Sequence, residues 1–243
     1  MDRITPDLVM DVGANYGEIA FCTRYPTGST AVLVEANARL IRLLEYGVSR
    51  RKDKGVNWRV VHAAASDRDG KANFFIDERS SGLSRLGRSM GGDALGRVEL
   101  VDLIRLEDLD GCASARRVVF KIDVEGAEIK ALRGMKRVLD QAEIFLGIVE
   151  LNEQNLREAG ASPSELWEFC RTIGHVALFD DRDRLVDLSA SSWDEVMDIA
   201  LKKGLRVLSG ADLVLFKSVG EVASLAPPRA VDAVANFVKR VVP

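Results

Sequence analysis

Residues Asp11-Val12-Gly13-Ala14-Asn15-Tyr16-Gly17 close an apolar run of strand length, Leu8 to Asp11, and lead into a segment of helical character. Glycines at a strand-to-helix turn supply the tight bend and let the backbone approach a ligand closely. Outward from this turn the chain keeps the same alternation. Strand-length runs at Ala31 to Glu35, Val60 to Ala63, Val118 to Asp123 and Ile144 to Glu150 are separated by helical stripes, one through Leu40, Leu43, Leu44 and Val48, another through Ile129, Leu132, Met135 and Leu139. Repeated strand–helix units predict an α/β domain around a mostly parallel sheet, with ligands bound beyond the carboxyl ends of the strands.

The turn alone would suit a dinucleotide. Asp11 discriminates, because a carboxylate at the mouth of the strand stands where a dinucleotide presents a doubly charged pyrophosphate. S-adenosylmethionine has no phosphate there and offers an ammonium and a sulfonium, which an acid attracts. Glu35 ends the next strand, where a Rossmann-like sheet needs an acid for the ribose hydroxyls of either ligand. After the third strand, Ala63-Ala64-Ala65-Ser66-Asp67 leaves room for a flat base and places Ser66 or Asp67 to bond its exocyclic amine. Gly13, Ala14, Asn15, Gly17, Glu35, Ala65 and Ser66 thus join Asp11 as the candidate cofactor residues.

A second concentration of charge falls in Phe120-Lys121-Ile122-Asp123-Val124-Glu125-Gly126-Ala127-Glu128, again at the carboxyl end of an apolar strand. Asp123 or Glu125 is expected to touch cofactor or substrate, while Glu128 suits the first turn of the following helix. His62 sits within an apolar strand and reads as a core residue. Trp58, Trp167 and Trp193 read as packing residues of the core or of a subunit contact.

Composition bounds the rest. The chain has 243 residues, with 34 Lys plus Arg against 37 Asp plus Glu and a net charge of −3, so it lacks the basic excess of a nucleic-acid backbone binder. No run approaches the ~18 uninterrupted apolar residues of a membrane span. Cys22, Cys112 and Cys170 are odd in number and scattered, as in a reduced, cytoplasmic setting. The expectation is one domain over residues 1–243. The glycine-rich stretch 77–96 is expected as a lid or a disordered loop, and residues 227–243 as a tail helix after Pro227-Pro228. Ser162-Pro163-Ser164-Glu165 predicts a helix start with a capping box. The first strand begins so early that substrate selection is expected to fall to the 77–96 loop, to the segment after Glu150, or to another subunit of a homo-oligomer.

The Asp-x-Gly-Ala-Asn-x-Gly turn, Val34-Glu35-Ala36-Asn37, the Lys-Ile-Asp-Val-Glu-Gly-Ala-Glu octamer at 121–128 and the closing Asp212-Leu213-Val214-Leu215-Phe216 run together resemble the FkbM family of methyltransferases. The resemblance extends from about Leu8 to Lys217 and is most specific in the octamer. It implies the class I methyltransferase fold, a seven-stranded sheet with an antiparallel last strand and helices on both faces. It further implies S-adenosylmethionine as cofactor and O-methylation of a sugar or natural-product hydroxyl. On the family motifs, Asp11, Gly13, Asn15, Gly17 and Glu35 map to the cofactor side, and Asp123 with Glu125 to the junction of cofactor and substrate.

Alcohols are poor nucleophiles while protonated, so a general base or a metal ion is expected. The candidate bases are Asp123, Glu125, Glu150 and His175, the last placed by its sequence position near the active face. Asp123, Glu150 and Asn152 would form a hard-oxygen set for Mg2+, similar to the metal site of the catechol O-methyltransferases. Two other classes compete: an NAD-dependent oxidoreductase on the same turn and ribose acid, and a non-catalytic nucleoside-binding or scaffold protein.

Overall fold

The computed structural model describes residues 5–87, 95–180, 184–203, 207 and 211–217. The first half builds β1 (Leu8–Val12), α1 (Glu18–Cys22), β2 (Thr30–Glu35), α2 (Ala38–Ser49) and β3 (Asn57–His62). Four strands follow, β4 (Ala64–Ala65), β5 (Gly70–Asp77), β6 (Arg85–Leu86) and β7 (Gly96–Ile104). The chain then returns through β8 (Arg117–Ile122), α3 (Glu128–Arg133), α4 (Lys136–Gln141), β9 (Ile144–Leu151), α5 (Glu153–Glu158) and α6 (Pro163–Ile173). It ends in β10 (His175–Phe179), β11 (Leu185–Asp187), α7 (Trp193–Lys203) and β12 (Ala211–Phe216).

The main sheet has the order β11-β10-β12-β9-β8-β1-β2-β3. Strands β3, β2, β1, β8 and β9 are mutually parallel, and β12 enters antiparallel between β9 and β10. This is the expected α/β architecture with eight strands in place of seven, because β11 adds an antiparallel edge to β10.

Alternation along each strand puts helices on both faces. Leu8, Met10 and Val12 of β1 join Phe120 and Ile122 of β8 in one core with Leu132, Leu139, Leu166 and Trp167. Val9 belongs to the opposite face, where Ala20 of α1 and Leu44 of α2 pack on Leu33. Asp11 follows Val9 on that face, at the carboxyl end of the strand. The predicted cap of α6 forms: the Ser162 hydroxyl accepts from Glu165 N, and the Glu165 carboxylate accepts from Ser162 N. Trp167 and Trp193 pack against each other, while Trp58 meets Tyr25 edge-on.

Within the stretch 77–96 the described residues carry the short strand β6, between the end of β5 and the start of β7. β4, β7, β5 and β6 form a second, four-stranded sheet, in which Phe74 and Phe75 pair with Leu86 and Arg85. Phe74, Ile76, Val101 and Leu103 give it a small core of its own. Residues 88–94 and the anticipated tail at 227–243 lie outside the described residues. Among the described residues, no helix is long and apolar enough to cross a membrane.

Candidate active site

The glycine turn is shaped by a close approach between two strand ends. Gly13 adopts φ +77°, and a Cβ there would lie 1.8 Å from the Asp123 carbonyl oxygen. The turn's amides are engaged internally: Gly13 N and Ala14 N donate to Val34 O at 2.9 and 3.0 Å, and Asn15 N donates to Glu35 Oε2 at 2.8 Å. Glu35 Oε1 accepts from Asn37 N at 2.7 Å, so this carboxylate is fixed by two backbone donors. Burial pushes the Glu35 carboxyl up, and those amides partly offset it.

Asp11 is 5% exposed. Its Oδ1 lies 3.6 Å from Lys121 Nζ and has no hydrogen-bond partner among the described residues. Burial raises its proton affinity above the ordinary carboxylate range, against the pull of Lys121. Lys121 donates to the Gly13 carbonyl at 3.0 Å and pairs with Asp123 Oδ2 at 3.2 Å. Burial disfavours the Lys121 charge, but Asp11 and Asp123 outweigh it and raise its pKa.

A cavity of about 270 Å³ opens beside these groups, walled by Asp11, Ala14, Glu35, Ala65, Asp123 and Glu125 among others. Gly13 and Asn15 also face it. Gly17 stands apart: in left-handed conformation at the start of α1, its place for a Cβ is filled by the Phe21 ring, so it serves the bend. Ser66 is buried on the wall of a neighbouring cavity, where its hydroxyl donates to Asp67 at 3.3 Å.

Beside the cavity, where Asp123 and Glu125 stand on its wall, acids from two adjacent strands converge. One carboxylate oxygen from each of Asp123, Glu125 and Glu150 lies within 4.8 Å of the others. Burial, with Asp123 next in weight, raises Glu125 to about 7 and Glu150 to about 8. Asp212, opposite Glu150 in the β9–β12 register, rises to about 6 for the same reasons. Glu125 sits at φ +53°, and its Oε2 accepts from the Asn155 side-chain amide. Arg85 bonds Asn155 Oδ1 at 3.4 Å and pairs with Glu158, tying the second sheet to α5. Glu128 Oε1 accepts from Val124 N and Gly126 N at 3.2 and 3.0 Å, holding the loop that presents Glu125.

Of the candidate bases, His175 is placed away from the acid cluster. His175 opens β10, which runs in the same direction as the central strands, so it lies at their amino edge, away from the cavity. There it stacks on Phe216 with ring centroids 5.3 Å apart. Asn152 caps α5, its Oδ1 accepting from Asn155 N at 3.2 Å. Glu125 joins Asp123 and Glu150 in the oxygen cluster. Sequence reasoning left Asp212, Asn155 and Arg85 out of the site. An acid at the head of the apolar Leu213–Phe216 run was the available signal for Asp212, whereas Asn155 and Arg85 come close only through the fold.

Comparison with solved structures gives distant likenesses. A precorrin-6y C5,15-methyltransferase from Geobacter metallireducens GS-15 matches at 11% identity over 87% of this chain and 80% of that one, with a TM-score of 0.41. A magnesium protoporphyrin IX methyltransferase from Synechocystis PCC 6803, with bound SAH, matches at 9% over 88% and 75%, TM-score 0.38. Scores this low carry no argument about chemistry. No curated protein matches the sequence. The model of the methyltransferase FkbM domain, by contrast, matches residues 11–181, from the glycine turn through β10. With that match over more than half its length, the chain belongs to the FkbM methyltransferase family.

Proposed function

We propose that this protein transfers a methyl group from S-adenosylmethionine to a hydroxyl oxygen of a small acceptor, a sugar or a natural product. The observation that carries the cofactor assignment is the pairing of an acid with engaged amides at the glycine turn. Among the described residues, Asp11 Oδ1 and Asn15 Oδ1 are buried and without hydrogen-bond partners, which suits a cationic, donor-rich ligand. The amides that would cradle a pyrophosphate are already bonded to Val34 and Glu35, which disfavours NAD. Asp11 and Asn15 would hold the amino-acid end, and Glu35, with lone pairs beyond its two amide bonds, would accept the ribose hydroxyls.

When bound, S-adenosylmethionine supplies an electrophilic methyl on a sulfonium whose C–S bond electrons leave with sulfur as the acceptor oxygen forms the C–O bond. The chain must orient that oxygen and remove its proton. Glu125 or Glu150 is the base, because carboxylates raised to about 7 and about 8 hold a proton near neutral pH more strongly than ordinary ones. Asp123, fixed by Lys121, contributes negative charge beside them.

A second reading of the same cluster has its own support. Carboxylate oxygens of Asp123, Glu125 and Glu150 within 4.8 Å of one another offer a hard-oxygen set that would hold Mg2+ once drawn closer. The test is transfer of label from methyl-labelled S-adenosylmethionine to hydroxylated acceptors, with and without a chelator. Label in an ether product supports O-transfer, and loss of that label on chelation selects the metal. Cofactor binding with label only on carbon or nitrogen would reject O-transfer.

A further inference from the structure

A second cavity, of about 380 Å³, adjoins the first, and Leu86, Glu125 and Ala127 line both. Glu125 therefore stands in the partition between them. The wall of the second cavity is polar. Asp67 and Asn73 offer hydrogen-bonding groups, and Arg68 and Lys130 bring positive charge.

These two cations differ from their neighbours. Lys71 pairs with Asp102 at 2.9 Å and Arg105 with Asp108 at 2.7 Å, and Arg85 pairs with Glu158, a residue of the cavity wall. Among the described residues, neither Arg68 nor Lys130 has an ion-pair partner. Asp67 is their one acidic neighbour on the wall that neither pairs with a cation nor belongs to the acid cluster around Asp123.

We propose that this second cavity receives the methyl acceptor, and that the acceptor is a polyhydroxylated molecule bearing a carboxylate or phosphate that Arg68 and Lys130 hold. The inference rests on the methyltransferase reading above. Asp67 and Asn73 bond hydroxyls of the acceptor, and one hydroxyl reaches Glu125 through the shared wall. Its proton passes to the Glu125 carboxylate as the oxygen closes the C–O bond and the C–S electron pair stays on sulfur. The glycine turn thus holds the donor, Glu125 takes the proton, and the two cations select the acceptor.

The experiment compares glucose, glucuronate and glucose 6-phosphate as acceptors of labelled methyl, with cofactor binding followed separately by calorimetry. The expected result is a kcat/KM for at least one anionic sugar about tenfold above that for glucose, as a charge-assisted contact gives. Glucuronate ahead of the phosphate identifies a carboxylate ligand, and the reverse order a phosphate. Arg68→Ala with Lys130→Ala should erase the preference through KM, with S-adenosylmethionine affinity as in the wild type. Lys136→Ala, which removes a surface cation from the Asp140 pair, should leave the preference in place. Equal use of glucose and both anions, a preference that survives the double variant, or cofactor binding with no transfer to any of the three overturns the acceptor inference. Failure to bind S-adenosylmethionine overturns the methyltransferase reading beneath it.

Discussion

Lys121 Nζ lies 3.6 Å from Asp11 Oδ1 and also bonds the Gly13 carbonyl at 3.0 Å, so one cation ties the acid of the first strand to the turn that follows it. The Asp11 charge is thereby partly compensated. Asp123, Glu125, Glu150 and Asp212 gather near this lysine, and burial together with the Asp123 charge pushes the last three up. Lys121→Met removes the compensation and leaves Asp11 buried without a partner. The expected loss is about 3–5 kcal/mol of folding stability, as for a broken buried pair. Denaturant unfolding measures it, and an unchanged midpoint would show that Lys121 carries no such role.

Gly13 has both a left-handed backbone and no space for a side chain, since its Cβ would meet the Asp123 carbonyl at 1.8 Å. Gly13→Ala must therefore push β1 and β8 apart at the mouth of the cavity. A destabilisation of at least about 2 kcal/mol is expected, together with loss of cofactor binding. Thermal unfolding and calorimetry on one preparation test both. Wild-type behaviour in each would mean the approach is not required.

The pH dependence of stability has a definite sign. Glu125, Glu150 and Asp212 are raised to about 7, 8 and 6, so the folded state holds protons that the unfolded chain releases near 4.5 or below. Their contribution to stability is fully present below those unfolded values and is lost as pH rises through about 6 to 8. Tm should accordingly fall between about pH 5 and pH 8.5, and Glu150→Gln should flatten the decline. A Tm that rises over this interval in the wild type would contradict the clustered, protonated acids.

Glu125→Gln keeps the shape of the residue and its Asn155 contact but removes the base. If Glu125 takes the acceptor proton, kcat falls about a hundredfold or more while S-adenosylmethionine affinity holds. In the wild type, kcat/KM should rise with pH through about 7 as this carboxyl loses its proton. Should Glu125→Gln retain full activity while Glu150→Gln loses it, the proton goes to Glu150.

The parts of this site that lie in one contiguous stretch were legible in the sequence, because local pattern fixes them. The turn at 11–17 follows its strand directly, Glu35 ends the next, and the acids at 123–125 cap β8. What escaped depends on chain direction and register. His175 falls at the amino edge because it is the first residue of β10, which runs with the central strands. Asp212 reaches Glu150 only through the β9–β12 register. Asn152 has a local use as a helix cap.

Parallel calorimetric titrations with S-adenosylmethionine and with NAD, on the wild type and on Asp11→Asn, test the cofactor assignment most directly. The predicted result is binding of the methyl donor alone, weakened about tenfold or more in the variant by loss of a charge-assisted contact. Saturable NAD binding by the wild type, or donor affinity indifferent to Asp11, would contradict it.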